Sequence, residues 1–143
     1  LLNRAYEVLG LPPAREFTRK FADYTLANGW DNIHGGIYRD GMHDGRIVVT
    51  DKEWWQNFES LTGFLDCYQA TGDERYLDTF IDLWEFDQKY FYNPEAGESR
   101  QLLKADGTPI IEDAGNQWKC IYHTDRAMME CCLRIEDMNR ENE

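Results

Sequence analysis

A chain of 143 residues with 27 acidic against 15 basic side chains and a net charge of −12 has the length of one domain able to bury roughly two-thirds of its unfolded surface. Its sign argues against binding to nucleic acid or an anionic membrane and leaves a neutral ligand or a protein partner. The 14 % aromatic content supplies rings for a core and equally for the flat face of a sugar.

No apolar stretch reaches the roughly eighteen residues of a membrane span, and Leu1 opens on a helical pattern rather than a leader, so a soluble, cytoplasmic protein is expected. Leu1, Leu2, Ala5, Tyr6, Val8 and Leu9 keep a helical period that stops at Gly10, a residue suited to a helix C-cap. Nothing precedes Leu1 to cap this helix, which gives the chain the look of a segment of something longer. Pro12 and Pro13 open a second predicted helix, with Phe17, Phe21, Tyr24 and Leu26 as its expected buried side and Asn28-Gly29 as its end. Between Trp30 and Thr50, glycines and Asp-Gly pairs punctuate two β-prone pieces, Ile37-Tyr38-Arg39 and Ile47-Val48-Val49, and predict a small hairpin or ordered loop.

A third helix is predicted from near Asp51, whose carboxylate suits a helix start, through Trp54, Trp55, Phe58, Leu61, Phe64, Leu65 and Tyr68 to the Thr71-Gly72-Asp73 break. A fourth runs from about Asp73 to Tyr92 with a broad apolar face. Asn93-Pro94 stops it, and Ala96 to Ile111 repeats the hairpin composition with Asp106-Gly107 as the turn. The fifth helix opens at Tyr122, and the charged tail from Asp137 to Glu143 is expected to fray. The fold class is therefore all-α, five helices in α/α hairpin repeats with two small β-hairpins. Cys67, Cys120, Cys131 and Cys132 sit in or beside apolar helical sequence without a metal-binding spacing. They are expected to be reduced core thiols, with no metal and no cofactor, Cys131 and Cys132 pointing to different sides.

The stretch Asn116–Arg126 concentrates Trp118, Lys119, Tyr122, His123 and Arg126 at the start of the last helix. His123 and Arg126 stand three apart and share a face, which predicts the edge of a polar cleft. A bland alternative makes Trp118 and Tyr122 core residues, His123 a structural imidazole and Arg126 a surface ion pair. The chain also repeats itself. A turn-rich segment containing Asp-Gly leads to a Trp and then to a helix with a polar residue five positions on: Trp54 and Glu59 in one block, Trp118 and His123 in the other, both shifted by 64. Units that cannot bury their apolar face alone stack side by side, so Glu59 and His123 are expected to point at one cleft. For Glu59 the competing reading is a solvated or Arg-paired carboxylate.

These motifs resemble the N-acylglucosamine 2-epimerase superfamily, which includes cellobiose 2-epimerases and mannose isomerases. Asp51-Lys-Glu-Trp-Trp-Gln-Asn-Phe-Glu59 is similar to its Asp-Lys-x-Trp-Trp segment with an inner-helix Glu, and Thr71-Gly-Asp-Glu-x-Tyr-Leu77 to its inter-helix turn. His34-Gly-Gly-Ile-Tyr38 resembles its loop after an outer helix, and Trp118-Lys-Cys-Ile-Tyr-His123 with Arg126 its catalytic-histidine segment. The resemblance implies that residues 1–143 form a single, incomplete domain, the C-terminal part of an (α/α)6 barrel. It also implies cofactor-free epimerisation or aldose–ketose isomerisation of a mono- or disaccharide or N-acylhexosamine, by proton transfer at C2.

On this resemblance His123, Glu59 and Arg126 are the catalytic candidates, with Trp54, Trp55, Trp118, Lys119 and Tyr122 binding substrate. Proton abstraction beside a carbonyl needs a base near neutral pKa and donors for the developing oxyanion, and histidine meets the first need. A second base for epimerisation is not apparent, because His34 and His43 fall in loop sequence. A homodimer or a complementing fragment is one expected completion. A non-catalytic carbohydrate-binding or oligomerisation module is the alternative.

Overall fold

The computed structural model describes residues 2–141. Among the described residues there are five α-helices, α1 (Leu2–Leu9), α2 (Pro12–Tyr24), α3 (Trp54–Thr71), α4 (Glu74–Phe86) and α5 (Tyr122–Glu141), with short β elements between α2 and α3 and between α4 and α5. α2 and α4 each run on into a π-helical turn, Thr25–Gly29 and Asp87–Phe91 respectively. After each turn comes a hairpin region, and after each hairpin region the next long helix, so the two blocks share one architecture.

α3 is the axis of the molecule. It packs against α5, α4 and α2, and its buried residues surround it: Trp54, Asn57, Phe58, Leu61, Thr62, Phe64, Leu65, Asp66 and Cys67. A helix covered on several sides cannot keep a clean polar stripe. It stops at Gly72, whose left-handed φ of 68° lets its N–H return to the Tyr68 carbonyl. Asp73 then caps α4 by accepting from the Arg75 N–H. Leu61, Leu65, Leu83, Phe91, Leu103 and Ala127 are fully enclosed and join elements from both blocks.

The strands are short. β1 (Asp40–Gly41) pairs antiparallel with β2 (Ile47–Val49), and β4 (Tyr92–Asn93) with β5 (Glu98–Ser99). The third sheet is different, because β3 (Lys52–Glu53), β6 (Leu102–Leu103) and β7 (Pro109–Ile111) lie in the order β3-β6-β7. The residues leading into α3 are thereby bonded to the second hairpin.

Several boundaries depart from the sequence reading. α3 begins at Trp54 rather than near Asp51, since Lys52 and Glu53 are taken up by pairing with Leu103 and Leu102. Ile37 makes an isolated bridge to Trp30, and the first hairpin's strand is Asp40–Gly41 instead of Ile37–Arg39. Residues 137–141 continue α5, with Met138 packed against the core and Arg140 paired to Glu136 and Asp137. Leu1, Asn142 and Glu143, also assigned by the sequence reading, lie outside the described residues.

α2 turns its small side inward. Ala14 and Ala22 are buried, whereas Phe17, Phe21 and Tyr24 are exposed and Leu26 is half-buried. Close approach to a neighbouring helix is easier over alanine than over phenylalanine. Among the described residues no helix is long and apolar enough to cross a membrane.

Candidate functional site

Glu59 lies in the second turn of α3 and His123 in the first turn of α5. The packing of these two helices brings His123 Nδ1 within 2.8 Å of Glu59 Oε1. The other carboxylate oxygen takes an ion pair from Arg126, one turn along α5 from His123. All three side chains are partly open, between 23 and 32 % exposed. Glu59 is thus an arginine-paired carboxylate whose other oxygen faces the imidazole.

Rings surround the imidazole. Tyr122 meets it edge-on at 5.0 Å between centroids, Trp55 is tilted at 5.8 Å, and Trp54 meets it edge-on at 6.2 Å. Trp55 and Tyr122 are well exposed, while Trp54 is buried. Consecutive helical side chains diverge by about 100°, so the paired indoles divide into one buried and one exposed. Trp118 is 78 % exposed on the approach to α5 and is not a core residue.

Lys119 is placed differently from the expectation of a cleft cation. Its side chain is fully enclosed, donating to the Ala114 carbonyl at 2.7 Å with Glu98 Oε1 at 3.4 Å, and the ammonium lies 5.8 Å from the Trp54 ring. The loop that delivers it is shaped by Asn116, whose Oδ1 accepts from the Trp118 and Lys119 backbone N–H groups. Lys52 is its counterpart in the first block, also fully enclosed, with Asp31 Oδ2 at 2.7 Å.

Glu98 was not marked by sequence reasoning. Its Oε1 accepts from the Ser99 backbone N–H at 2.6 Å, Ser99 Oγ at 2.8 Å and Thr124 Oγ1 at 3.0 Å. Burial pushes its carboxyl up, but the Ser99 bonds, the Lys119 charge and Thr124 outweigh burial and hold it below the usual range. The only sequence signal for it is the repeat: each block places a lysine just before its inner helix, and a buried lysine requires a carboxylate nearby.

The whole arrangement, a Trp-Trp helix opposite a Tyr-His helix with Glu and Arg between them, coincides with a sequence match. Residues 12–127 match the family described as N-acylglucosamine 2-epimerase (GlcNAc 2-epimerase). The chain belongs to the N-acylglucosamine 2-epimerase family. Among its relatives, a cellobiose 2-epimerase of Ruminococcus albus is 31 % identical over 144 residues, covering 96 % of this chain and 36 % of that protein. An N-acylglucosamine 2-epimerase of Bos taurus is 31 % identical over 116 residues, covering 78 % of this chain and 28 % of that protein.

The solved structure of a D-mannose isomerase superposes with a TM-score of 0.86 at 24 % identity, over 92 % of this chain and 34 % of that one. The chain therefore spans about a third of the length of the curated relatives it matches. Its α/α hairpins have the all-α class of this epimerase family and resemble part of an (α/α)6 barrel. The family match encloses Glu59, His123 and Arg126 together.

Proposed function

We propose that this chain carries the imidazole–carboxylate part of a sugar epimerase or isomerase site, with His123 moving a proton at C2 of an aldose or N-acylhexosamine. One observation carries the reading: the 2.8 Å contact of His123 Nδ1 with Glu59, whose second oxygen is held by Arg126. A neutral imidazole that donates its Nδ1–H to Glu59 keeps Nε2 as the basic nitrogen. Directed at the C2–H of a ring-opened sugar, Nε2 takes the proton while the electrons pass to the carbonyl oxygen and give an enediol-type intermediate. Glu59 orients the ring and stabilises the imidazolium that results, as a carboxylate does behind a catalytic histidine. Trp55, Tyr122 and Trp118 offer exposed ring faces to the sugar.

Return of the proton to C1 yields the ketose. Return to the opposite face of C2 yields the epimer and takes a second donor, and His34 and His43 are exposed loop residues. Residues outside 1–143, whether of the same polypeptide or of a partner such as a second copy, would supply that donor. Such residues would also cover Phe17, Phe21 and Tyr24 of α2 and Met129 and Leu133 of α5, all exposed here. Sedimentation returning a stable monomer that is fully active would defeat this closure.

The catalytic reading is tested by incubating the protein with mannose, glucose, N-acetylmannosamine or cellobiose in deuterated water. Deuterium is expected at C2 of a responsive sugar and is expected to vanish in His123→Asn with the fold retained. Undiminished exchange in that variant would overturn the role of His123. The largely exposed Trp118 also suits a sugar-binding module without turnover, for which measurable sugar affinity with no exchange is the expected result.

A further inference from the structure

The first turn of a helix leaves backbone N–H groups without intrahelical partners, and it frays unless something outside the helix ties it down. His123 stands on such a turn, so its 2.8 Å contact with Glu59 depends on what holds the start of α5. A displacement of about 1 Å would carry that contact outside hydrogen-bond range.

Two tethers converge on the turn, and both run through one carboxylate. Glu98 Oε1 takes the hydroxyl of Thr124, the residue after His123, at 3.0 Å, with Ser99 Oγ a further 3.4 Å from that hydroxyl. The same oxygen lies 3.4 Å from Lys119 Nζ, which sits 5.8 Å from the Trp54 ring, and Trp54 in turn meets His123 edge-on. Glu98 is itself fixed on β5 by the Ser99 N–H and hydroxyl. It is 11 % exposed and reaches His123 through Thr124, Lys119 and Trp54.

Resting on the proton-transfer reading above, we propose that Glu98 is a positioning residue for His123, gripping Thr124 and Lys119 together and so fixing the turn from which the imidazole reaches Glu59. The first block shares the lysine–carboxylate half of this design, with the Asp31–Lys52 pair just ahead of the helix that bears Glu59. Each inner helix of the site is thus preceded by an enclosed lysine tied to a carboxylate of its own hairpin region.

The test is nitrogen-edited NMR of the His123 side chain in the whole chain, comparing Glu98→Gln, Thr124→Val and Thr124→Ser with the parent. The Nδ1–H resonance bonded to Glu59 is expected to exchange with solvent at least about tenfold faster in Glu98→Gln and Thr124→Val, the equivalent of one charge-assisted hydrogen bond. Thr124→Ser, which keeps the hydroxyl, is expected to match the parent. With a responsive sugar, kcat is expected to fall by about 10²-fold in Glu98→Gln while KM stays within about twofold. A folded Glu98→Gln or Thr124→Val with unchanged Nδ1–H exchange and unchanged imidazole titration would overturn the proposal, as would a Thr124→Ser variant as impaired as Thr124→Val. If Glu98→Gln does not fold, Thr124→Val reads the same tether with the carboxylate left in place. The NMR signature needs no turnover, so it decides the role of Glu98 separately from the His123→Asn result that judges the functional reading.

Discussion

Replacing Lys52 by methionine removes an ammonium that is fully enclosed, with Asp31 Oδ2 at 2.7 Å and the Ala105 carbonyl at 2.5 Å. Asp31 would remain buried with its charge, since its other oxygen is held by the Ile33 and His34 backbone N–H groups at 2.9 and 3.1 Å. Stripping one partner from a buried ion pair costs about 3–5 kcal/mol. The two amides and the Tyr38 hydroxyl continue to solvate Asp31, and methionine keeps the apolar stem beside Phe86. The lower end, about 3 kcal/mol, is therefore expected, or a fall of about 10 °C in Tm for a chain of this length.

The double variant Asp31→Asn/Lys52→Met leaves neither charge stranded and is expected to recover at least about 1.5 kcal/mol of the summed single losses. Urea unfolding followed by tryptophan fluorescence at neutral pH, on the parent, both singles and the double, measures all of this. Burial pushes the Asp31 carboxyl up, yet the Lys52 bond and the Ile33 and His34 amides outweigh burial and hold it below the usual carboxylate range. Its stabilisation is then complete above that range and is lost as acid protonates it, a limb that Lys52→Met should flatten. A Lys52→Met loss below about 1 kcal/mol, or singles that add to within about 0.5 kcal/mol, would refute the claim that the pair closes as a unit.

Asp87 is fully enclosed, and among the described residues neither carboxyl oxygen has a hydrogen-bond partner. Burial pushes its carboxyl well above the ordinary range, so stability is full below that range and falls as pH rises through the raised value. Asp87→Asn should remove the fall, and identical pH–stability curves for the two proteins would contradict this. Gly107 holds φ at 85°, and a Cβ there would run into the Tyr90 ring. Gly107→Ala is expected to lose about 2–4 kcal/mol in thermal or urea unfolding, and a neutral variant would discount the clash. Burial raises the Cys67 thiol to about 12 and the Cys131 thiol to about 11, whereas Cys120 and Cys132 are exposed. An aromatic disulfide reagent should titrate two thiols quickly and two only on unfolding, and four fast thiols would argue against the packing of α3 on α5.

The meeting of Glu59 with His123 was legible because it follows from a count. Two blocks offset by 64 residues fold alike, so equivalent positions on neighbouring inner helices face one another. The Asp106-Gly107 turn and the break at Gly72 were legible for a local reason, since positive φ selects glycine. The inward face of α2 was not, because an aromatic stripe and an alanine stripe have the same period, and which one turns inward depends on how near α3 must come. Lys52 and Lys119 were misleading in isolation. Lysine is normally solvated, and the carboxylates that allow these two to be enclosed lie 21 residues away in each block, at Asp31 and Glu98. The expectation of four core thiols failed at Cys120 and Cys132, where a thiol beside apolar residues faces solvent.

The bonding of Lys52–Glu53 to Leu102–Leu103 joins chain positions 49 and 51 residues apart at the threshold of the helix that carries the carboxylate. Loosening the second hairpin would release the base of the first inner helix as well, so the acid and the imidazole should be lost in one cooperative step. A lineage built on this plan can vary its exposed loop tips freely, but it cannot trade one block for a foreign one without also re-matching the strand that links the two.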